Sequence, residues 1–588
     1  MDSYNLLDEK LLTVGKVYIE DDEVYFVSLV LEQSFGEHHH FEVVLDCDLL
    51  IHSFMKDPLK QMELIGKFLY IRLIQSSESG FEYIFKGIIG EVQHEGKEGK
   101  HGYLRLRGMS PTVLLERGKR LDVFSNMDFR TIVDEVTDGI TNKNQWLPTY
   151  SHPVYEEKID FLMQYYESDW EFLRRLSAIS GETLFYTGLE LVFGKYKDWD
   201  PIVVTYDLEI TDFKFGGRMM ANDFVRYQYL PDKDETLIGN APDSVEGSNE
   251  YIDSVMKATQ RIKLSGDRLA TIPVSLPVKN IGSLNELLER EKVSTAARTV
   301  YISGTSKTFG PLIGRFLTIN MPDNIADAKE LGTFRITKVK HIIDDRERYT
   351  CEFEGIPGGL KFVPTPDIKP PVTDSLIATV VDNNDPQGQG RIKVDFPFAK
   401  DRSMDTWLRV MTPDAGSGDE KGAKNRGMVF IPEINSEVIV GFEFGDPNRP
   451  YVQGSLFTGA SGGGGGVDNA SKSLITRCGN TIIMNDAKRS ITIKDPSGNV
   501  ITTDGKGNVS ITAPESIKLN VGNNTLTIKK DGETKIATSK EFKVEVGEST
   551  LSITPNTIKI KSGNNNIVGT NHITGGDTKI DGGNVFVN

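Results

Sequence analysis

Several groups of residues have the types and spacing to do chemistry. Glu167, Asp169 and Glu171 place three carboxylates within five residues, the raw material of general acid and base work. They also stand where an amphipathic helix begins, with Phe172, Leu173, Leu176 and Ile179 on one face. The expectation is that Ser168 or Asp169 caps that helix and that the carboxylates compensate its dipole. His38, His39 and His40 suggest a metal site, but consecutive strand residues point to alternate faces, so at most His38 and His40 converge. His572 would be triplicated on a threefold axis, where three imidazoles could ligate one metal. Alternation instead turns it to solvent if Ile573 faces inward. The run Gly462 to Gly466 is followed by neither a Lys-Ser pair nor a helix, so it reads as a hinge and not as a phosphate-cradling loop. Cys47, Cys351 and Cys478 are scattered without paired or ligand spacing, which leaves neither a disulfide framework nor a zinc module. No catalytic residue, cofactor or metal is expected.

The elements that would carry such residues form more than one domain. A chain of 588 residues exceeds what one hydrophobic core supports, and 38% hydrophobic residues suffice for two to four ordinary cores. The formal charge of -17 repels phosphate backbones and anionic headgroups, which argues against nucleic-acid and membrane-surface partners. Met1 to Leu12 is acidic, with no basic or apolar region of the kind a signal peptide needs, and no membrane-length apolar run follows. The expectation is a cytoplasmic protein that leaves the cell, if it does, without a signal peptide.

From Lys16 to about Arg107, short β-branched and aromatic runs separated by polar turns predict a mostly antiparallel β domain. Helical periodicity appears at Phe129 to Val136 and Ser168 to Ile179. From Ile202 to about Phe362 the β pattern returns as a second, related module, broken by one helical segment at Leu284 to Arg298. The prolines between Pro364 and Pro371 mark a boundary. Strand-like runs at Leu376 to Val381, Arg391 to Phe396, Trp407 to Met411, Met428 to Ile431 and Glu437 to Phe444, with Val452 to Leu456 as a sixth candidate, suit a small OB-type barrel.

Beyond the glycine run the chain becomes repetitive. Ile493, Ile501, Ile511, Leu519, Ile528, Ile536, Val544, Ile553 and Ile560 mark strand centres about eight residues apart, with clean apolar and polar alternation within each run. Each strand offers only two or three apolar side chains, so one chain encloses no core. From Gly459 to Asn588 the only aromatic residues are Phe542 and Phe586, which fits a lumen too narrow for rings. Three chains wound round each other would bury every apolar row and leave no free sheet edge. Ile493, Ile511, Leu519, Ile528, Val544, Ile553 and Ile560 are then the core of that prism. The alternative is a single-chain solenoid, whose repeats usually run to about 20 residues or more.

The stretch Asn383 to Phe457, with Asp385, Arg391, Trp407, Gly427 and the run Gly445 to Pro450, resembles the OB-domain signature of the VgrG spike proteins of type VI secretion systems. Gln164 to Leu176 with Gly181 resembles the hub signature shared with contractile-phage baseplates, and Ser473 to Ile482 resembles the entry to the family's β-prism. Asn435, where a glycine is usual, and Cys478 depart from the pattern. The resemblance implies a mainly β fold with an α+β hub. It would comprise a phage-hub-like region of two barrel-like modules (1–362), a proline-rich linker (363–375), an OB-fold domain (376–458), a glycine-rich hinge (459–472) and an intertwined trimeric triangular β-helix, the needle (473–588). It implies a homotrimeric puncturing spike with no enzymatic activity, cytoplasmic before firing. The partners implied are a hexameric Hcp-like tube protein, baseplate proteins, effectors or their adaptors, and a PAAR-like tip protein seated on Val585, Phe586, Val587 and Asn588. A phage-tail or extracellular-particle spike is the alternative. A bacteriolytic enzyme would need a folded insertion for which Gly459 to Ala470 leaves no room.

Overall fold

The structure is a computed structural model that describes residues 13–48, 57–75, 81–97, 100–141, 146–261, 269–322, 330–399, 402, 404–419 and 424–563. Strands dominate, and the chain divides into two compact units, Met1–Leu456 and Phe457–Asn588. No helix among the described residues is long and apolar enough to cross a membrane.

The first unit is organised by a 13-stranded sheet. Its seam lies where Ser28–Ser34 pairs antiparallel with Glu330–Ile343, Leu31 opposite His341 and Gln33 opposite Val339, so the two β modules share one continuous ladder. The seam is polar inside. Gln33 Nε2 meets His39 Nδ1 at 3.0 Å and donates to the Tyr83 hydroxyl at 2.7 Å, while His341 Nδ1 meets the Tyr349 hydroxyl at 2.6 Å. Hydrogen-bonded polar groups inside a sheet specify one register, because a slip would leave them buried and unpaired.

Among the described residues five α-helices pack on this framework: α1 (Pro58–Met62), α2 (Phe129–Thr141), α3 (Asp169–Ser180), α4 (Glu250–Arg261) and α5 (Ile281–Ala297). The periodicity at 129, 168 and 284 thus marks three of them. α4 falls in a region read from the sequence as β. Its Ile252, Met256 and Thr259 are buried, and Asn249 Oδ1 accepts from Ile252 N at 3.0 Å as a side-chain cap. That stripe was present in the sequence but only three residues wide. α3 ends at Gly181 in the left-handed region (φ 74), where an added Cβ would come within 2.9 Å of Arg290 Cβ. Arg290 on α5 reaches back to donate to Glu182 at 2.7 Å, both fully buried, and Glu182 also accepts from the amides of Val154 and Tyr155. A charge pair removed from water persists only when its remaining lone pairs are used in this way.

The barrel-like region after the prolines forms a four-stranded sheet of Lys393–Asp395, Leu376–Asp382, Glu437–Phe442 and Pro450–Leu456. Trp407 to Met411 contributes only the bridges Ile392 to Leu408 and Val410 to Val452. Met428 to Ile431 is not a strand. Met428, Val429 and Phe430 are exposed, Pro432 follows, and no strand among the described residues supplies a ladder. Ala378, Val380, Val394, Val438, Val440 and Val452 close one core with Val123, Phe161, Met163 and Tyr165, which come from the strands Arg120–Met127 and Ile159–Glu167. Polar contacts reinforce the junction: Met163 N donates to Asn448 Oδ1 at 3.3 Å, Gln389 Nε2 to Asp232 O at 3.0 Å and Arg449 Nη2 to Val274 O at 2.6 Å.

The second unit is a series of antiparallel meanders. Five strands between Ser471 and Thr512 form one sheet, three between Ser516 and Ala537 a second, and three between Phe542 and Lys561 a third.

Candidate assembly interface

The carboxylates near residue 170 are engaged in structure. Ser168 Oγ accepts from Glu171 N at 3.1 Å while Glu171 returns the bond to Ser168 N at 2.9 Å, a reciprocal cap at the start of α3. Glu167 takes a two-pronged bond from Arg175 at 2.7 and 2.8 Å, and Asp169 is held by Arg117 and Arg120 at 2.9 and 3.1 Å. Every one of these carboxylates is tied to a cap or a guanidinium. The three histidines diverge: His38 stacks on Trp170 and contacts Thr112 and Glu116, His39 lies in the core, and His40 is exposed. His572 and the tip residues Val585, Phe586, Val587 and Asn588 lie outside the described residues.

The OB signature has a local physical basis. The Asp385 carboxylate accepts from the amides of Gln387, Gln389 and Arg391 at 3.0, 2.9 and 3.3 Å and from the Arg391 guanidinium at 3.0 and 2.8 Å. The Arg391 bond, joined by those amides, holds the carboxyl well below the usual carboxylate range. The motif is thus a loop staple between two strands of the barrel. Asn435 has φ 69, a conformation asparagine tolerates better than other residues with a Cβ.

The second unit carries repeated apolar rows. In its first sheet Leu474, Ile482, Ile493, Ile501 and Ile511 are direct cross-strand partners in one unbroken row. In the second sheet Leu519, Leu526 and Ile536 form one row, and Ile517 and Ile528 pair in another. In the third, Val544, Leu551 and Ile560 form a row beside Phe542, Ile553 and Ile558. All seven residues expected at the prism core therefore lie in such rows. Within the single chain they are open to solvent, from 37% exposed at Ile553 to 60% at Ile560. Burying each would contribute on the order of 1–2 kcal/mol. A contiguous exposed apolar face is of the kind that interfaces cover.

Turns of one kind set the strand spacing. Thr476, Asp495 and Asp504 each accept from the amide four residues on, at 3.1, 3.0 and 3.1 Å, and each turn carries glycine at its fourth position and asparagine at its fifth. Gly479, Gly498 and Gly507 share φ values of 96, 96 and 97. Cys478 lies exposed in the first of these turns, its thiol held below the usual value by the Thr476 hydroxyl and the Asn480 amide.

The first unit adds exposed apolar residues that sequence reasoning missed: Ile377 (49%), Phe444 (72%) and Leu456 (41%) on the barrel, with Val372 (75%) just before it. Alternation was a usable signal for Ile377, since Ala378 and Val380 point into the core.

Comparisons with known proteins bear on the first unit. The profile of the phage tail baseplate hub family matches residues 39–193, and that of the type VI secretion system and phage-baseplate injector OB domain matches 376–457. The actin cross-linking toxin VgrG1 of Vibrio cholerae is 35% identical over 120 residues, 18% of this chain and 10% of that protein. The type VI secretion system spike protein VgrG1c of Pseudomonas aeruginosa is 34% identical over 121 residues, 19% of this chain and 15% of that protein. The match thus spans less than a sixth of either relative. Among solved structures, a chain of the lidded Francisella PdpA–VgrG complex superposes with a TM-score of 0.53 at 8% identity, covering 85% of this chain and 80% of that one. That likeness concerns the fold. The chain carries a phage-type baseplate hub domain and an injector OB domain, and it resembles the VgrG spike proteins.

Proposed function

From these two domains as premise, we propose that the chain is the structural spike of a contractile injection apparatus of the type VI kind, acting as a homotrimer. The observation that carries the reading is the set of apolar rows in the second unit, in register across successive strands yet half-exposed in one chain. Three copies bring three such faces to one axis, and a closed prism removes the free edges of the short meanders. Residues 1–362 act as the hub, 363–375 as linker, 376–458 as the OB collar, 459–472 as hinge and 473–588 as needle.

In this reading two related β modules in each of three copies offer six near-equivalent contacts to a hexameric Hcp-like tube ring. Val585 to Asn588 seat a PAAR-like tip protein, and effectors or their adaptors travel with the assembly. The protein is cytoplasmic before firing and is delivered by the machine. The role is mechanical, and no covalent step belongs to it: the carboxylates around the start of α3 serve a cap and two ion-pair clusters.

Analytical ultracentrifugation tests this directly. The full chain is expected to sediment as a trimer. Ile528→Asp, which would set three charges in one layer, is expected to shift it toward monomer while the near-ultraviolet signal of the first unit, rich in tyrosine and tryptophan, stays unchanged. A monomeric parent chain, or an undisturbed trimer in the variant, would sink the assignment.

A further inference from the structure

The charge of the chain is unevenly divided. Residues 457–588 carry 15 Lys and Arg against 12 Asp and Glu, a net of +3, so residues 1–456 carry -20 of the total of -17. The positive charge of the second unit has a defined place. On the face opposite the apolar rows, Lys518, Thr527 and Lys535 are direct cross-strand partners in the second sheet. Lys543, Ser552 and Lys559 repeat the pattern in the third. Each is a lysine, hydroxyl, lysine row across three strands, which sets the two lysines roughly 10 Å apart at the usual strand spacing. All four lysines are exposed; Lys543 pairs with Glu545 on the same face of the third sheet, whereas Lys518, Lys535, Lys559 and the neighbouring Lys561 form no ion pair with any described residue. The polar face of the second sheet holds Lys518, Lys529 and Lys535 with no carboxylate among its strand residues.

We infer that this face binds the headgroup surface of an anionic lipid bilayer. The overall charge argues against such a partner, but a partner meets a local field, and screening confines each unit's field to about 10 Å. The chemistry of the face selects among anions. The last arginine of the chain is Arg489, and the only aromatic residue between Ser516 and Lys561 is Phe542, on the apolar face, so the face has neither forked donors nor stacking platforms for nucleic acid. Lysines on flexible stems over a flat sheet suit a diffuse layer of headgroup phosphates, to which each adds roughly a fivefold gain in partition. The Thr527 hydroxyl can donate to the same oxygens, whereas that of Ser552 donates to the Glu541 carboxylate. The inference rests on the spike reading only for which sheet face is outward.

Co-sedimentation of the full-length protein with vesicles of 30% phosphatidylglycerol in phosphatidylcholine tests it, with pure phosphatidylcholine vesicles and duplex DNA alongside. Binding to the charged vesicles is expected at low salt and should fall at least tenfold in 0.5 M salt. The quadruple variant K518Q/K535Q/K543Q/K559Q should lose roughly a hundredfold or more in partition, and K518R/K535R/K543R/K559R should retain it. Equal binding to neutral vesicles, salt-independent binding, wild-type partition by the glutamine variant, or tighter binding to DNA than to vesicles would each overturn the inference. Sedimentation of the same samples without lipid reports the trimer separately, so failure of the spike reading and failure of the lipid reading give different results.

Discussion

His39 and His341 are fully buried at the seam between the two β modules, and desolvation holds both near a pKa of about 3, against 6.5 for a free side chain. The folded value lies below the unfolded one, so between them the unfolded chain binds more protons. The stability that neutral histidines confer is complete above about pH 6.5 and is lost as the pH falls toward 3, at up to about 1.4 kcal/mol per pH unit for each ring. Urea titrations of the first unit at pH 7, 5.5 and 4.5 should show this slope, and His341→Leu should reduce it by about one proton. A slope unchanged in that variant would mean that His341 titrates normally. At this scale, what was legible in the sequence was local. The Ser168 and Glu171 cap could be read because its partners are three residues apart. The Arg290 and Glu182 pair, 108 residues apart, and the Gln33 to Tyr83 bond, 50 apart, have no local signature.

Among elements, repetition carried the clearest message. The eight-residue spacing placed the terminal strands well, because each strand and turn there is fixed by its own residues. Met428 to Ile431 shows the converse: an apolar run becomes a strand only when a neighbour offers a ladder, and a sequence does not display the neighbour. The turns permit a sharp test. Gly498 has φ 96, and a Cβ there would meet Pro514 Cγ at 3.1 Å, whereas Gly459 has an ordinary φ and open space around it. Gly498→Val should therefore destabilise the second unit by about 1–2 kcal/mol, and Gly459→Val should be near neutral. Thermal melts of the two variants compare them under one condition, and equal stability would refute the strain argument.

At the scale of the whole molecule, the two units should melt apart. The first buries its apolar residues within one chain, while the rows of the second are covered only between copies in the proposed trimer. Calorimetry is expected to show two transitions, the upper one assigned to residues 457–588 and rising with protein concentration, as dissociation-coupled unfolding requires. A single transition independent of concentration would contradict this. The barrel after the prolines has a different tie. Val123, Phe161, Met163 and Tyr165 of the hub close the same core as Val380, Val438 and Val452 of the barrel. The prolines between 364 and 371 mark a change of composition, but they are a poor place for a crossover between two related genes. A chimera joined there would set one lineage's hub strands against another's barrel, with a mismatched core at the contact. A join after Leu456 falls where a separate unit begins. Exchange among such genes is therefore expected to move terminal units as cassettes while hub and barrel are inherited together.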